Sequence, residues 1–367
     1  MATANPSALC TVIAVCAGLG LATSACVYRP VRLDRDATGD SATDGGTDGD
    51  ADGPPTDEPR VLDWDGAAWE QLVPAVHPEP TWYGSLVYDP ARETVLLYGG
   101  GVAYGAARAE LWELDGDAWT LLCDACPPGP RFGAAFYYDS DAGRLVLFGG
   151  STAHAGEGAL DDAWAFVDGA WTALATTGVA PQRFSFAHAY DAARGVLVVF
   201  GGQTTDGIPS DEVYELDGTA WGGPFTPVER PSAREYVMGA YAKSHGGIVV
   251  YGSAIYDDDA WLWNGTAWTR LCVECTGTGR ALAAMIEAPP GGDLLLVGGW
   301  TGAVELAGTL RWEGDAFLVA SPAPTARDTV GLAYDPKRQR IVLFGGNGDG
   351  CSGGGNCLET WAWSPPR

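Results

Sequence analysis

The chain has 367 residues and a formal net charge of −26 at pH 7, with 52 glycines and 15 tryptophans. An acidic surface argues against binding nucleic acid, whose phosphates need basic side chains, and against docking on anionic lipid headgroups through a polybasic patch. The many glycines and tryptophans, without long apolar runs of helical period, predict an all-β chain rich in tight turns.

The first segment has the features of an export signal. Residues 8–22 form an apolar run that is short for a membrane span and suits a signal-peptide core. The run leads into Thr23-Ser24-Ala25-Cys26, which resembles a bacterial lipobox. We therefore predict a signal peptide over residues 1–25 and lipidation of Cys26, which would anchor an exported protein in the bacterial cell envelope, at the outer membrane or cell surface. Two departures weaken the lipobox match, since Thr23 stands where leucine is usual and no Lys or Arg precedes the apolar core, and ordinary secretion with cleavage nearby is the alternative.

A polar segment follows the signal. Its composition from residue 31 to residue 60 is dominated by Asp, Gly, Thr, Ala and Pro. Such a segment cannot bury enough apolar surface to offset the entropy of ordering it. We predict a disordered tether over residues 26–60, followed by a single repeat domain over residues 61–367.

A hydrophobic pattern recurs six times after the tether. Its clearest copy is residues 145–150, Leu-Val-Leu-Phe-Gly-Gly, and apolar residues that end at a glycine pair predict a strand buried on both faces. The first glycines of the copies are Gly99, Gly149, Gly201, Gly252, Gly298 and Gly345, at intervals of 50, 52, 51, 46 and 47 residues. A period of about 50 residues is typical of propeller blades.

The rest of the repeat supplies three more strands. A strand precedes each buried one, as in residues 131–139, 183–191 and 327–335, and ends in Tyr-Asp. After a longer polar loop comes a strand with an aromatic residue, an Asp-Gly or Asn-Gly turn typical of hairpins, and a last strand that opens with Trp. The unit is thus four antiparallel strands, which we name a, b, c and d.

These motifs, in this order and spacing, resemble kelch repeats, the repeats of the galactose-oxidase type. The resemblance covers residues 61–367 and implies an all-β fold, a six-bladed β-propeller of four-stranded antiparallel blades. Glu287, Ser253 and Val297 depart from the motif in single units. The chain ends in strand c of the sixth unit, and a lone d strand near Trp69 opens the domain. We predict that this N-terminal strand completes the sixth blade, which would remove an open sheet edge.

The loop lengths indicate a functional face. The a–b and c–d turns are short and leave one face of the ring, whereas the b–c loops, together with the d–a connections, lie on the other and reach about ten residues. On this long-loop face we select as ligand-binding candidates the residues that break the repeat. They are Thr81, Trp82, Tyr83, Gln203, Trp300 and Asn347. Exposed Trp and Tyr can stack on sugars or anchor a protein partner, and inter-blade packing is the structural alternative.

Five arginines open strand a in successive units and form a second candidate set. They are Arg131, Arg183, Arg234, Arg280 and Arg327. They could clamp an acidic ligand, but a feature repeated in every unit favours a scaffold role. We therefore expect each to pair with an acid at the head of strand c, from the set Glu110, Asp162, Glu212, Asp259 and Glu359.

Six cysteines lie in the repeat domain as three local pairs, all predicted on the long-loop face. They are Cys123 with Cys126, Cys272 with Cys275, and Cys351 with Cys357. An even count in an exported protein favours disulfides that brace the loops. A zinc site shared by the two C-x-x-C pairs is the alternative, but blades one and four lie on opposite sides of a six-bladed ring.

The sequence does not assemble a catalytic centre. A copper site of the galactose-oxidase kind needs converging histidines, and only His77 and His154 could reach one face. No nucleophile elbow is present. We expect no cofactor, no metal and no catalytic residues. The predicted function is a monomeric, envelope-anchored binding module for an envelope or extracellular protein or for a glycan. The alternatives are a carbohydrate-active propeller enzyme and a structural envelope protein.

Overall fold

The computed structural model describes residues 68–102, 106–153, 158–288, 292–321, 324–349, 351 and 355–364. These residues form six four-stranded antiparallel sheets arranged as the blades of a β-propeller, which confirms the predicted fold class. They include no helix long and apolar enough to cross a bilayer. The chain separates into two units, Met1–Thr56 and Asp57–Arg367, and every described residue belongs to the second. The predicted signal peptide, tether and lipidated Cys26 lie outside the described residues.

The first three blades have the predicted strand order, a, b, c and d. Blade 1 contains Ser85–Asp89, Thr94–Tyr98, Leu111–Asp115 and Ala118–Cys123. Blade 2 contains Ala135–Asp139, Arg144–Phe148, Ala163–Val167 and Ala170–Leu174. Blade 3 contains Ala187–Asp191, Val196–Phe200, Val213–Asp217 and Ala220–Phe225.

The last three blades repeat this order. Blade 4 contains Met238–Ala242, Gly247–Tyr251, Ala260–Trp263 and Trp268–Cys272. Blade 5 contains Ala284–Ala288, Asp293–Val297, Thr309–Glu313 and Ala316–Ser321. Blade 6 contains Gly331–Asp335, Arg340–Phe344, Thr360–Ser364 and, as its d strand, Ala68–Leu72. Three small two-stranded ladders extend the loops: Gly101–Val102 with Ala106–Ala107, Arg183–Phe184 with Gln203–Thr204, and Asn347–Gly348 with Gly355–Asn356.

The hydrophobic core lies between the blades. The a strands contact one another around the centre, and the b strands are buried along their length, as in Thr94–Tyr98 and Arg340–Phe344. Six core clusters each join buried residues of two neighbouring blades. One of them joins Leu97 of blade 1 to Phe344 of blade 6. Six interfaces for six blades leave no blade at an open end of the array.

The N-terminal strand closes the ring as predicted. Ala68–Leu72 pairs with the last strand of the chain, with Trp69 opposite Trp363 in the register. Trp69 is buried, and its indole nitrogen donates a hydrogen bond to the Thr309 hydroxyl of blade 5 over 2.8 Å. The first and last described strands therefore belong to one sheet and to the same inter-blade core.

The glycine pairs hold each blade to the next. Gly346 N–H of blade 6 donates to the Thr81 carbonyl before blade 1 over 2.9 Å, and Gly100 N–H donates to the Arg131 carbonyl over 3.0 Å. At Gly345, with φ of +74°, a Cβ atom would lie 2.3 Å from the Thr81 oxygen. The repeat therefore needs glycine at this position both for the backbone angle and for close approach to the neighbouring blade.

We expect Gly345→Ala to destabilise the ring far more than Gly218→Ala. Both glycines have positive φ, +74° and +55°, but a Cβ at Gly218 meets nothing within 4 Å. The Gly218 variant should show only the backbone strain, about 1–2 kcal/mol, and the Gly345 variant a further 1–3 kcal/mol or so from overpacking. Urea unfolding measures both free energies. Equal losses would contradict the close-approach explanation.

Candidate functional site

A cavity of about 830 Å³ opens on the long-loop face. Its described lining comes from five blades and their loops. The aromatic members are Trp82, Tyr83, Phe184, Tyr236, Tyr256 and Trp300, and the polar members are Asp328, Thr329, Asn347 and Asn356. The lining therefore combines large ring faces with a few hydrogen-bonding groups, the composition expected of a small-molecule site. We call this space the rim cavity.

Short backbone ladders place the lining side chains on the rim. In several units the residue after the arginine position pairs with the residue after the glycine pair. Trp82 pairs in this way with Gly101, Ala281 with Trp300, and Asp328 with Asn347. In the last of these ladders, the N–H of each partner donates to the carbonyl of the other, over 2.8 and 2.9 Å. The same local geometry thus presents an aromatic residue in one blade and polar residues in another.

The aromatic rings contact one another across blades. The ring centroid of Tyr83 lies 5.3 Å from that of Trp82 and 5.9 Å from that of Phe184. Phe184 lies 6.3 Å from Tyr236, with the two rings at 89°. On the other side, Tyr256 and Trp300 are 6.3 Å apart, also at 89°. Edge-to-face contacts of this kind are favourable, and they hold the rings in place before a ligand arrives.

A ring of left-handed residues encircles the central channel, and four of its six members line the rim cavity. One residue per blade has φ between 52° and 62°: Tyr83, Gly133, Ser185, Tyr236, Leu282 and Thr329. Hydrogen bonds link neighbours in this ring, including Tyr83 N–H to the Thr329 carbonyl at 2.9 Å and Thr329 N–H to the Leu282 carbonyl at 2.8 Å. Non-glycine residues rarely adopt this conformation, so the inter-blade bonds must offset its cost. We call these six residues the collar.

The collar also corrects one sequence expectation. The repeat pattern predicts that strand a starts at the arginine, as in residues 131–139, but the observed strand is Ala135–Asp139. The left-handed Gly133, with φ of +62°, lies between Arg131 and the strand. A residue in this conformation breaks the extended backbone, so the arginine segment becomes part of the rim.

Below the collar lies a second, smaller space in the central channel. It has a volume of about 200 Å³ and is lined mainly by the a strands. Tyr83, Tyr236, Leu282 and Thr329 of the collar line both spaces. His188 lines the channel, where burial lowers its pKa to about 4, so that it is uncharged at neutral pH. The collar therefore separates the rim cavity from the channel.

Asp328 is the carboxylic acid of the described lining. The residue is only 6% exposed, and one carboxylate oxygen accepts a hydrogen bond from the Thr329 hydroxyl over 3.1 Å. Burial raises the pKa of Asp328 to about 7, and the negative charge of Glu305 contributes to this increase. Burial also holds the pKa of Tyr83 well above its ordinary value, so this phenol is neutral.

Four of the six repeat-breaking candidates line the rim cavity: Trp82, Tyr83, Trp300 and Asn347. Thr81 is 2% exposed and donates its hydroxyl to the Gly101 carbonyl, so it occupies the interior of the rim. Gln203 is half-buried in the ladder that follows the third glycine pair and pairs there with Phe184. Neither Thr81 nor Gln203 belongs to the described lining.

Sequence reasoning did not select several lining residues. They are Phe184, Tyr236, Tyr256, Asp328 and Asn356. Phe184 and Asp328 occupy the position after the arginine, which is Trp82, Phe132, Glu235 or Ala281 in the other units. That position varies beside a repeated neighbour, and comparing the units in register would have marked it as a place where the rim differs between blades.

Most of the repeated arginines form the ion pairs expected of a scaffold role. Four of them pair with the predicted acid of their own blade: Arg131 with Asp162, Arg183 with Glu212, Arg234 with Asp259, and Arg327 with Glu359. In blade 5 the acid position is Gly308, and Arg280 donates instead to the Gly298 carbonyl over 3.1 Å. The five arginines are buried and do not belong to the described lining.

The structure brings the cysteines together in the three predicted pairs. The Cα atoms are 5.6 Å apart for Cys123 and Cys126, 5.5 Å for Cys272 and Cys275, and 5.0 Å for Cys351 and Cys357. Each C-x-x-C pair joins the end of its d strand to the following connection, and it pairs with its own partner rather than with the other C-x-x-C as the shared zinc alternative requires. Among the described residues, Cys351, Cys357 and Glu359 bring possible metal ligands within 4.8 Å, but the two sulfurs are bonded to each other.

Comparison with known proteins does not assign this chain to a family. A scan against protein-family models found no match, and a search of curated proteins found no significant match. The conclusion that the site supports is therefore structural: the chain is a six-bladed β-propeller with an aromatic-lined cavity on its long-loop face.

Proposed function

We propose that the chain is a kelch-type binding module that recognises a glycan in the rim cavity. The observation that carries this proposal is the lining itself, which combines six aromatic side chains with a few amide and carboxyl groups. Aromatic faces stack on the apolar faces of sugar rings, and the polar groups can bond to sugar hydroxyls. The repeated motifs support the kelch assignment.

The shape of the site favours a glycan over a protein. Its volume of about 830 Å³ lies within the range of small-molecule sites, roughly 300–1,000 Å³. A protein partner is the second candidate, because exposed Ile208, Ile255 and Val304 lie on the b–c loops of three consecutive blades. Such a partner would cover those loop tips in addition to the cavity.

The same geometry bears on the enzyme alternative. Glycoside hydrolysis ordinarily uses two carboxyl groups on either side of the scissile bond. Asp328 is the single carboxyl group in the described lining, and Glu305 lies within electrostatic range of it but is not among the lining residues. We therefore favour binding over catalysis. Release of products from a bound glycan would support the enzyme instead.

We further propose that the module is exported, monomeric and held in the cell envelope by lipidated Cys26. The apolar run of residues 8–22 and the small residues before Cys26 support this. Mass spectrometry of the mature amino terminus tests it. A diacylglyceryl cysteine is expected, and an unmodified terminus at another residue would contradict lipidation.

Trp300→Ala is expected to weaken glycan binding at least about tenfold, because a central aromatic contact is often worth more than about 1.4 kcal/mol. Trp300 is half-buried, so its removal should leave the fold intact. A glycan array on the purified chain identifies the ligand, and calorimetry then compares the variants. Trp82→Ala is less informative, because Trp82 is 7% exposed and packs 4.8 Å from Phe132 between ring centroids.

Tyr334→Ala is the matched control for this experiment. Tyr334 is a half-buried aromatic residue at the end of strand a, on the short-turn face. The control should bind like the wild type. Equal weakening by both substitutions, or no weakening by Trp300→Ala, would show that the rim cavity is not the glycan site.

A further inference from the structure

The charge of the rim cavity distinguishes among glycans. Its described lining contains the carboxyl group of Asp328 and no Lys, Arg or His. Asp328 is buried, and the side chains that hydrogen-bond to it are the neutral groups of Thr329 and Asn347. No described basic side chain forms an ion pair with it. A buried carboxylate without a cation is costly, so the site favours a ligand that supplies one.

The charged groups around Asp328 also favour a positively charged ligand. Glu305 from the b–c loop of blade 5 raises the pKa of Asp328, and Glu235 of blade 4 lies within electrostatic range of Tyr83, as Asp328 does. Burial raises the pKa of Glu235 as well. Arg327, the neighbour of Asp328 in the chain, donates instead to the Gly345 carbonyl over 3.2 Å and faces Glu359.

The aromatic lining suits a cation. Six aromatic residues line this space, and the negative faces of Trp, Tyr and Phe rings attract ammonium groups, most strongly in a site that excludes water. Trp300 and Tyr256 stand at 89° to each other, which offers two differently oriented rings on one side of the cavity. An anionic sugar would meet like charge in this cavity, and a neutral sugar would leave Asp328 without a counterion.

We propose that the glycan unit in the rim cavity carries a positively charged amino group, which pairs with Asp328 among the aromatic rings. The ligand class is thus an amino sugar with an unacetylated nitrogen. This inference rests on the proposed glycan-binding function. Pairing with a ligand cation would supply the charge that Asp328 lacks within the described structure.

Three β-1,4-linked trimers that differ at carbon 2 test this inference by calorimetry on the full chain. They are the trimers of N,N,N-trimethylglucosamine, N-acetylglucosamine and glucose. The first carries a cation that does not titrate, the second a neutral amide and the third a hydroxyl. The cationic trimer should bind at least about tenfold more tightly than the others, because a quaternary ammonium can pair with the Asp328 charge and contact the aromatic rings without an N–H donor.

The pH dependence supplies a second readout. A cation pairs only with ionised Asp328, and burial raises the pKa of this group in the free protein to about 7. Protons therefore compete with the ligand as the pH falls. Affinity for the permanently charged trimer should drop at least about tenfold from pH 8 to pH 5, and Asp328→Asn should remove both the preference for the cation and this dependence on pH.

Glu305→Gln is the matched control, because it removes a neighbouring charge outside the described lining and should retain most of the preference. Equal affinity for the three trimers would overturn the inference and leave the glycan proposal standing. Failure of the cationic trimer to bind would also overturn it, and the glycan array then decides separately whether any glycan binds.

Discussion

Deleting residues 61–72 is expected to destabilise the whole ring and to lower its melting temperature by more than ten degrees or so. The deletion removes Ala68–Leu72, the d strand of blade 6, and with it buried Trp69 and Leu72. Loss of a buried Trp side chain alone costs about 3–5 kcal/mol, against a total stability of about 5–15 kcal/mol for a typical domain. The strand Thr360–Ser364 would also become an open sheet edge.

Deletion of residues 31–60 is the control, because the predicted tether should contribute nothing to the core. Calorimetry or circular dichroism on heating compares the two truncations with the full chain. The prediction fails if the chain without residues 61–72 melts at the same temperature as the control. Added aggregation of that variant is the expected accompaniment of an unpaired edge.

Arg327→Met is expected to cost about 3–5 kcal/mol, because it removes the cation that faces a buried acid. The Arg327 side chain is 1% exposed and the Glu359 side chain 7%, with 3.5 Å between the nitrogen and the oxygen. The arginine also donates to the Gly345 carbonyl over 3.2 Å, which ties it to the glycine pair of its blade. Urea unfolding measures the loss.

Two further variants separate charge from packing at this pair. Arg230→Met breaks the Arg230–Asp211 pair, whose side chains are 30% and 31% exposed, and it should cost less than about 1 kcal/mol. Adding Glu359→Leu to Arg327→Met should recover part of the loss, since the buried charge is then gone. A loss at Arg327→Met no greater than at Arg230→Met would show that burial of the pair is energetically unimportant.

The sequence alone did not predict which rim residues line the cavity. Trp300 and Asn347 follow glycine pairs that the repeat aligns, which makes them candidates, and both line the cavity. Gln203 is a candidate by the same logic, and Thr81 is one because it stands at the arginine position of the first unit, but neither lines the cavity. Gln203 is equivalent to Trp300 and Asn347 along the chain, and only the packing of each blade decides whether a side chain points to the interior or to the cavity.

Other parts of the fold are within reach of the sequence, because they depend on short, repeated patterns. The period of the glycine pairs predicts six blades, the lone strand near Trp69 predicts ring closure, and the arginines predict most of their acidic partners. Each of these features is local to one repeat or follows from counting repeats. Local patterns predict these features because equivalent residues pack in the same way in every blade.

The collar and the charge of the cavity were decided by tertiary structure. Nothing local favours a left-handed backbone at Tyr83 or Thr329, with φ of 52° at each; inter-blade hydrogen bonds impose it. The convergence of Phe184 and Asp328, from blades 3 and 6, likewise requires the ring to close. The sequence by itself therefore determined the repeated scaffold, whereas contacts between distant blades determined the site, because a cavity is formed by residues that no local pattern relates.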